Sequence, residues 1–529
     1  MRSNAASVLE KKNVFAAAEE RFAGIIDELQ SPARQHMGMS DLEKLLQAEG
    51  SQLLRDLLQG HMDLRSLGQV EETVTGADGV ERRDRHRRSR TINTVFGTVE
   101  LNRERFHETG SPGLAPLDAE LNLPPERASL ELRRRVARLA AKMSFEDVVD
   151  EIRETTGTEL AKRQVEELAR ASARDFEAFY EARRVAALES EAPAEPNEEP
   201  KDSILVVTTD GKGIPMLPES LREATRKAAE ESQPKLQKRR SKGEKGSRKR
   251  MATVAAVYSI APHPRLPEDV MAGLRPAPER PAVKRPVPQD KRVWASVSAP
   301  AEGVVCEMFE EAMARHQDRP RRWIALVDGN EVQLGNILTL AEHHDIELTL
   351  IIDVIHVLEY LWKAGSAFER EGTPELEKWV QARFHQILQG QAKRVATGLR
   401  RAATRRKLGA KQRKPVDTCA NYLDKNATYL AYDAYLAQGL PIATGVIEGA
   451  CRYLVKDRME KTGARWHLDG AEAILRLRSL FASRDFEDYW AFHEKAEHHR
   501  NHLAHYADES PPRVEPPRRP GRPHLRLVE

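Results

Sequence analysis

Asp210, Asp328 and Glu448 are the residues of this chain whose types and settings could do chemistry together. Each aspartate closes an apolar, strand-forming run and is followed by glycine: "ILVVTTDG" ends on Asp210-Gly211 and "RWIALVDG" on Asp328-Gly329. If the two strands are neighbours, about 4.8 Å apart, the carboxylates meet. At about 4 Å two like charges repel by about 4 kcal/mol at an effective dielectric near 20. A divalent cation between them turns that repulsion into a binding site. Carboxylate oxygens, with waters and phosphate completing an octahedron, suit Mg²⁺, and the glycines let backbone and phosphate approach. Glu448, in "GVIEGACRYLVKD", flanks the apolar stripe Ile447, Cys451, Leu454 near a helix start and is the candidate third acid. It has two other readings. One is a carboxylate favoured by the helix N-terminus, worth under about 1 kcal/mol. The other is an i, i+4 ion pair with Arg452.

A core between residues 203 and 356 must position these acids. Strands are expected at 204–210, 251–260, 292–297, 322–328 and 346–353, with helices at 301–316 and 331–344. The order β-β-β-α-β-α-β makes the last two strands parallel, and it is the element order of a ribonuclease-H-like fold. There the first strand is central and the fourth lies beside it. A Rossmann-type sheet would need a glycine-rich phosphate loop after a strand; "DGKGIP" is too short and meets a proline.

At 529 residues the chain exceeds one core. Residues 1–80 read as amphipathic helices, with Phe22, Ile25, Ile26 and Leu29 on one face. Residues 81–128 hold the arginine cluster "ERRDRHRRSR", including Arg82, Arg83, Arg87 and Arg88, and a small β-hairpin around Phe96-Gly97. Over 129–184 three helices follow, one lined by Leu132, Val136, Leu139 and Met143. Ser144 and Asp147 mark a helix start, and Gly157 a break. A helix beginning near Glu159 with Lys162, Arg163 and Gln164 gives a helix-turn-helix pattern, for which DNA reading is one interpretation and an ordinary helical hairpin the other. Residues 185–202 are an acidic, Ala/Pro-rich linker, and 203–356 the first part of the core. Residues 357–440 are a helical insertion whose stretch 393–414 has ten Lys/Arg in twenty-two, including Arg400, Arg401, Arg405 and Arg406. That density points to a phosphate-tracking surface, the other reading being a solvated helix. The run 235–250, with Lys238, Arg239 and Arg240, reads as a loop that orders on DNA. Residues 441–508 are core helices carrying Glu448, and 509–529 a disordered basic tail in which "RRPGRP" lacks the arginine of a minor-groove hook.

Net charge is only +2, so no global field draws the chain to nucleic acid; the basic residues act in local blocks. Three dispersed cysteines exclude a disulfide framework and a cysteine zinc finger. No apolar run of about 18 residues occurs, so the expectation is a cytoplasmic protein with no membrane partner. His498, His502 and His505 share a helical face, for which a metal site is one reading and a solvated helix the other.

The blocks "VVTTDGKGIPM", "RWIALVDGNEVQ", "IIDVIHVLEYLWKAG" and "GVIEGACRYLVKDRMEKTGARW" occur in order. In them the chain resembles ISKra-type transposases, the DDE enzymes of bacterial insertion sequences distantly similar to mutator-like and ISL-type elements. The resemblance implies a ribonuclease-H-like catalytic core with a mixed five-stranded sheet and a helical insertion, behind a mainly α DNA-binding region with a small hairpin. It implies that Asp210, Asp328 and Glu448 hold two Mg²⁺ ions, Mn²⁺ being a substitute, for DNA strand cleavage and strand transfer. The partners implied are double-stranded DNA, at element ends and target, and a second copy or a higher assembly on it, at the nucleoid of a bacterial cell. "DVIH" resembles the D-x-x-H block of such enzymes. Asp353 would lie two strand spacings, about 9–10 Å, from the first strand, so Asp328 is the preferred ligand. His356 reads as orienting DNA or a carboxylate, or as half of a structural Asp–His bond, and Trp466 as stacking on a base or packing in the core. A non-catalytic DNA-binding protein derived from a transposase and a structure-specific nuclease are the alternatives.

Overall fold

The computed structural model describes residues 13–70, 73–189, 203–231, 248–274, 285–317 and 321–515. Residues 190–202 of the linker, the 235–247 basic run with Lys238, Arg239 and Arg240, and the tail beyond residue 515 lie outside them; residues 185–189, expected in the linker, are helical instead. The chain divides into two compact units, residues 1–175 with 487–529, and residues 176–486.

In the first unit, helices α1 (Ala16–Gln30) and α2 (Met39–Arg65) form a hairpin, with Arg21 bonded to Glu49 and Asp56 of α2. A three-stranded antiparallel sheet follows: β1 (Asp84–Thr94), β2 (Gly97–Glu108) and β3 (Ser111–Leu114). The hairpin expected around Phe96-Gly97 is present but longer. The arginine cluster is its outer half, Arg88 pairing with Arg103 and Arg87 with Glu104. Ile92, Val99 and Leu101 are buried with Met62 of α2. Three helices come next, α3 (Leu130–Ala140), α4 (Phe145–Thr156) and α5 (Lys162–Ser172). Ser144 and Asp147 form a capping box on α4, and Gly157 ends it at φ 66°, a left-handed conformation that glycine adopts without strain. Most of the C-terminal helix Phe486–Asn501 belongs to this unit and not to the core.

In the second unit, α6 (Phe176–Glu189) precedes a five-stranded sheet of β4 (Ile204–Pro215), β5 (Lys249–Ile260), β6 (Gln289–Ser296), β7 (Arg322–Val327) and β8 (Leu348–Ile352). Its order is β8-β7-β4-β5-β6. β4 runs antiparallel to β5 and parallel to β7; β5 and β6 are antiparallel, and β7 and β8 parallel. β4 is therefore central, with β7 at its side. Helix α7 (Ala301–Gln317) connects β6 to β7, and α8 (Glu331–His343) connects β7 to β8.

One expectation is corrected here. β4 does not end at Asp210 and turn. It stays paired to β5 through Pro215↔Lys249, while its pairing with β7 stops at Thr208↔Leu326. Gly211 is thus a strand residue beside Met251, whose Cε would lie 3.1 Å from an added Cβ.

Between β8 and Glu448 the chain is helical, as expected: α9 (Val354–Gly365), α10 (Pro374–Leu388), α11 (Ala392–Arg405) and α12 (Ala410–Lys425). Glu448 lies on α13 (Gly445–Ala450), which continues as a π-helical turn over Cys451–Lys456. Helix α14 (Leu468–Ser483) packs against β6, where Glu472 accepts from the backbone of Val297 and Ser298.

Candidate functional site

Sheet register fixes the geometry of the acids. Thr208 pairs with Leu326, and Val327 with Ile352. Continued by one or two residues, that register sets Asp210, Asp328 and Asp353 in one row across three neighbouring parallel strands, where β7 and β8 end and β4 runs on. Asp210 is half-buried at the point where β4 loses β7 as a neighbour. Its Oδ1 accepts from the Gly211 N–H at 2.6 Å, and its Oδ2 from the Cys451 thiol at 3.2 Å. Burial foremost, then the adjacent Asp210, pushes the Cys451 thiol well up, so it remains a donor.

Asp328 follows β7 directly. Its Oδ1 accepts from the Asn330 N–H at 2.8 Å, and its Oδ2 lies 3.7 Å from His356 Nε2. Asn330 in turn caps α8. Gly329 has φ +88°, and a Cβ there would stand 3.2 Å from the Tyr422 ring, so this turn requires glycine. Tyr422 is on α12 of the helical insertion and donates to the Asp328 main-chain oxygen at 2.9 Å. It stacks on Tyr360 of α9 at 4.1 Å.

Asp353 is buried. Its Oδ1 caps α9 by accepting from the Ile355 N–H at 2.9 Å, and its Oδ2 accepts from the Thr444 hydroxyl. Thr444 is the N-cap residue of α13, so Asp353 ties the end of β8 to the helix bearing Glu448. Glu448 itself is exposed. Partial burial, then Asp353 and Asp210, hold its carboxyl above the usual range, against the opposing pull of His356. Arg452 reaches towards Asp457 at 3.8 Å, which removes the i, i+4 reading of Glu448.

These acids face one region without forming a closed ligand set. Among the described residues, the group of three whose ligand atoms all lie within 4.8 Å of one another is Asp175, His493 and Glu497, in the first unit. Charge separates the two sites. Glu497 is ion-paired with Arg133, Arg174 and Arg500, and Asp175 with Arg500. The cluster already holds more guanidinium than carboxylate, and a cation would be repelled. It is a buried ion-pair hub joining the C-terminal helix to its unit. Among the described residues no lysine or arginine is ion-paired with Asp210, Asp328 or Glu448. Hard oxygen donors with uncompensated charge fit a divalent cation such as Mg²⁺.

Other expected site residues divide. Of the two readings of Trp466, the structure agrees with packing: it is buried, its indole N–H donated to Met459 O at 3.0 Å and Arg458 over its ring. His498 and His502 each bond a backbone oxygen, of Ala119 at 2.9 Å and Leu123 at 2.8 Å, and are structural. Arg82 is corrected. It is buried and spends its guanidinium on Asp78, Val80 O and Pro112 O, out of reach of DNA. Arg83, Arg87 and Arg88 are exposed, Arg83 paired with Glu81. Lys162 and Arg163 are exposed and paired with Glu146 and Glu167, while Gln164 caps α5 through the Ala161 N–H. On α11, Val395, Ala396 and Leu399 face inward. Arg401 and Arg405 are exposed; Arg400 is held by Asp424 and Asn421, and Arg406 by Phe368 O and Glu369.

Sequence reasoning missed Tyr422, Thr444 and Cys451. Only Cys451 carried a signal, one helical turn after Glu448. No family model matches the chain, and no curated protein matches it.

Proposed function

We propose that the chain is a DDE transposase of the ISKra type, with a ribonuclease-H-like core, cutting and joining DNA at the ends of a bacterial insertion sequence. The observation that carries this reading is the row of Asp210 and Asp328 at matched register on adjacent parallel strands, with Glu448 within electrostatic reach of Asp210 and, among the described residues, no lysine or arginine ion-paired with any of the three. Strand order and directions, with a central β4 antiparallel to β5 and parallel to β7, support the same fold.

Asp210, Asp328 and Glu448 would hold two Mg²⁺. When bound, such a pair supplies the charge that activates an attacking oxygen and stabilises a departing one. The chain's residues do the rest. Cys451 and the Gly211 N–H orient the Asp210 carboxylate, the Asn330 N–H orients that of Asp328, and His356 stands beside Asp328 to steer it or a phosphate. Arg87 and Arg88 on the β1–β2 ribbon, and Arg401 and Arg405 on α11, offer exposed cations for phosphate.

The test is cleavage of DNA carrying the inverted repeats that flank the coding region, with Mg²⁺ and with EDTA. Metal-dependent cutting at the repeat ends is expected. Binding without cutting would leave a DNA-binding protein, and preference for branched DNA without repeats a structure-specific nuclease.

A further inference from the structure

The helix that carries Glu448 does not stay α-helical. Beyond α13 it widens over Cys451–Lys456 into a π-helical turn, and the Asp457 N–H bonds to Arg452 O, five residues back. Three residues later the Glu460 N–H bonds to Lys456 O, four back, at 3.2 Å. Between those two bonds stand three carbonyls, of Tyr453, Leu454 and Val455, but only two N–H groups, of Arg458 and Met459. The helix thus has one carbonyl more than its own donors can satisfy, and a donor from elsewhere must take it. That donor is Arg478 of α14. Its Nε donates to Leu454 O at 2.8 Å, and a terminal nitrogen donates to Tyr453 O. α14 is fixed on β6 on both sides of Arg478. Glu472 accepts from the Val297 and Ser298 N–H groups, and Ser483 accepts from the Val293 N–H at 3.0 Å and donates to Val293 O at 3.2 Å.

The burial pattern shows what the wide turn does. Ile447, Cys451, Val455 and Met459 are all buried, at steps of four. A pure α-helix drifts about 40° at each step of four, or about 120° from Ile447 to Met459. The extra residue of a π-helical turn takes up about 100° of that. Both halves of the helix therefore face inward together, and the Cys451 thiol reaches Asp210 Oδ2 at 3.2 Å. We propose that Arg478 is a positioning residue of the candidate site: its guanidinium holds the wide turn, and the turn keeps Cys451 and Glu448 in phase with Asp210. Arg478 acts through the backbone of residues 453 and 454. Without its donors the helix falls back to α-helical bonding, and its two halves no longer face inward together. The half that gives way is α13, because Val455 and Met459 are fully buried and Glu448 is exposed. In its catalytic consequence the inference rests on the transposase reading.

The experiment is maleimide labelling of the full chain under native conditions without Mg²⁺, followed cysteine by cysteine by peptide mass spectrometry. In the parent, exposed Cys306 should label at once, and buried Cys451 and Cys419 slowly. Arg478→Met keeps the aliphatic stem and removes the donors. In it Cys451 is expected to label about tenfold faster, the scale on which an unpartnered buried carbonyl shifts local opening, and Cys419 at the parent rate. Half-maximal cleavage of repeat DNA should need several-fold more Mg²⁺, with DNA binding unchanged. Arg478→Lys keeps an ammonium donor and is expected to lie near the parent in both readings; Arg478→Gln stands in if the Met variant fails to fold. Cys451 labelling at the parent rate overturns the proposal, as does an unchanged Mg²⁺ requirement. Equal acceleration at Cys419, a Lys variant as impaired as the Met variant, or failure of both neutral variants to fold makes Arg478 a structural residue only and also overturns it. A parent that cuts no DNA removes the transposase reading, and the two thiol rates still decide whether Arg478 holds the turn. A cutting parent whose thiols the variants do not move removes this inference alone.

Discussion

The hydroxyl of Tyr422 donates a 2.9 Å hydrogen bond to the main-chain oxygen of Asp328. Through it a helix of the insertion holds the turn that presents a proposed metal ligand. Tyr422→Phe keeps the stack on Tyr360 and removes only this bond, so the expected cost is about 0.5–1.5 kcal/mol of stability. The Mg²⁺ concentration for half-maximal cleavage should rise while binding to repeat DNA stays unchanged. Titration of cleavage against Mg²⁺ beside a DNA-binding isotherm reads both.

Asp210→Asn, Asp328→Asn and Glu448→Gln are each expected to abolish cutting and leave end binding intact. Asp353 acts through Thr444 and α13, so Asp353→Asn should lower cleavage without abolishing it. Retained activity in Asp328→Asn together with a dead Asp353→Asn would exchange their roles.

Burial, Asp353 and Asp210 raise the Glu448 carboxyl. A carboxyl raised in the folded state favours folding in its protonated form, and that contribution is lost as pH climbs from the unfolded value, about 4.3, through the folded one. In EDTA, Glu448→Gln is therefore expected to melt higher than the parent at neutral pH and to match it near pH 4. Added Mg²⁺ should stabilise the parent and narrow the gap. Melts at the two pH values, with and without metal, check the sign.

In the first unit the signs reverse. Burial opposes ionisation of Asp175 and Glu497, but His493 beside Asp175 and Arg133 beside Glu497 hold both carboxyls below their usual range. Their contribution is present above the unfolded values, near 4, and is lost as pH falls through the lowered folded ones. Arg133 is fully buried, so Arg133→Met leaves Glu497 short of a partner and should cost about 3–5 kcal/mol. Chelators should not move the melting of this unit. Denaturant titrations with and without EDTA test both statements.

The exposed arginines of the β1–β2 ribbon should bind DNA phosphate, and buried Arg82 should not. Arg87→Ala and Arg88→Ala are each expected to flatten the slope of log affinity against log salt by about 0.9. Arg82→Ala should lower stability and leave that slope alone.

The sequence by itself determined the elements and their alternation. Apolar runs marked all five core strands within a few residues, and Ser144 and Gly157 marked where α4 begins and ends, because backbone preference and capping are local physics. Asp210 and Asp328 were legible for the same reason, each closing such a run. The outer half of β1 was not: its arginines carry no apolar alternation, and only pairing with β2 makes them a strand. Tertiary structure alone decided which carboxylates have a guanidinium partner. Arg133 pairs with Glu497 and Arg500 with Asp175 across more than 300 positions of sequence, whereas among the described residues no lysine or arginine is ion-paired with Asp210, Asp328 or Glu448. Such compensation depends on distances between segments hundreds of residues apart, which no local pattern encodes.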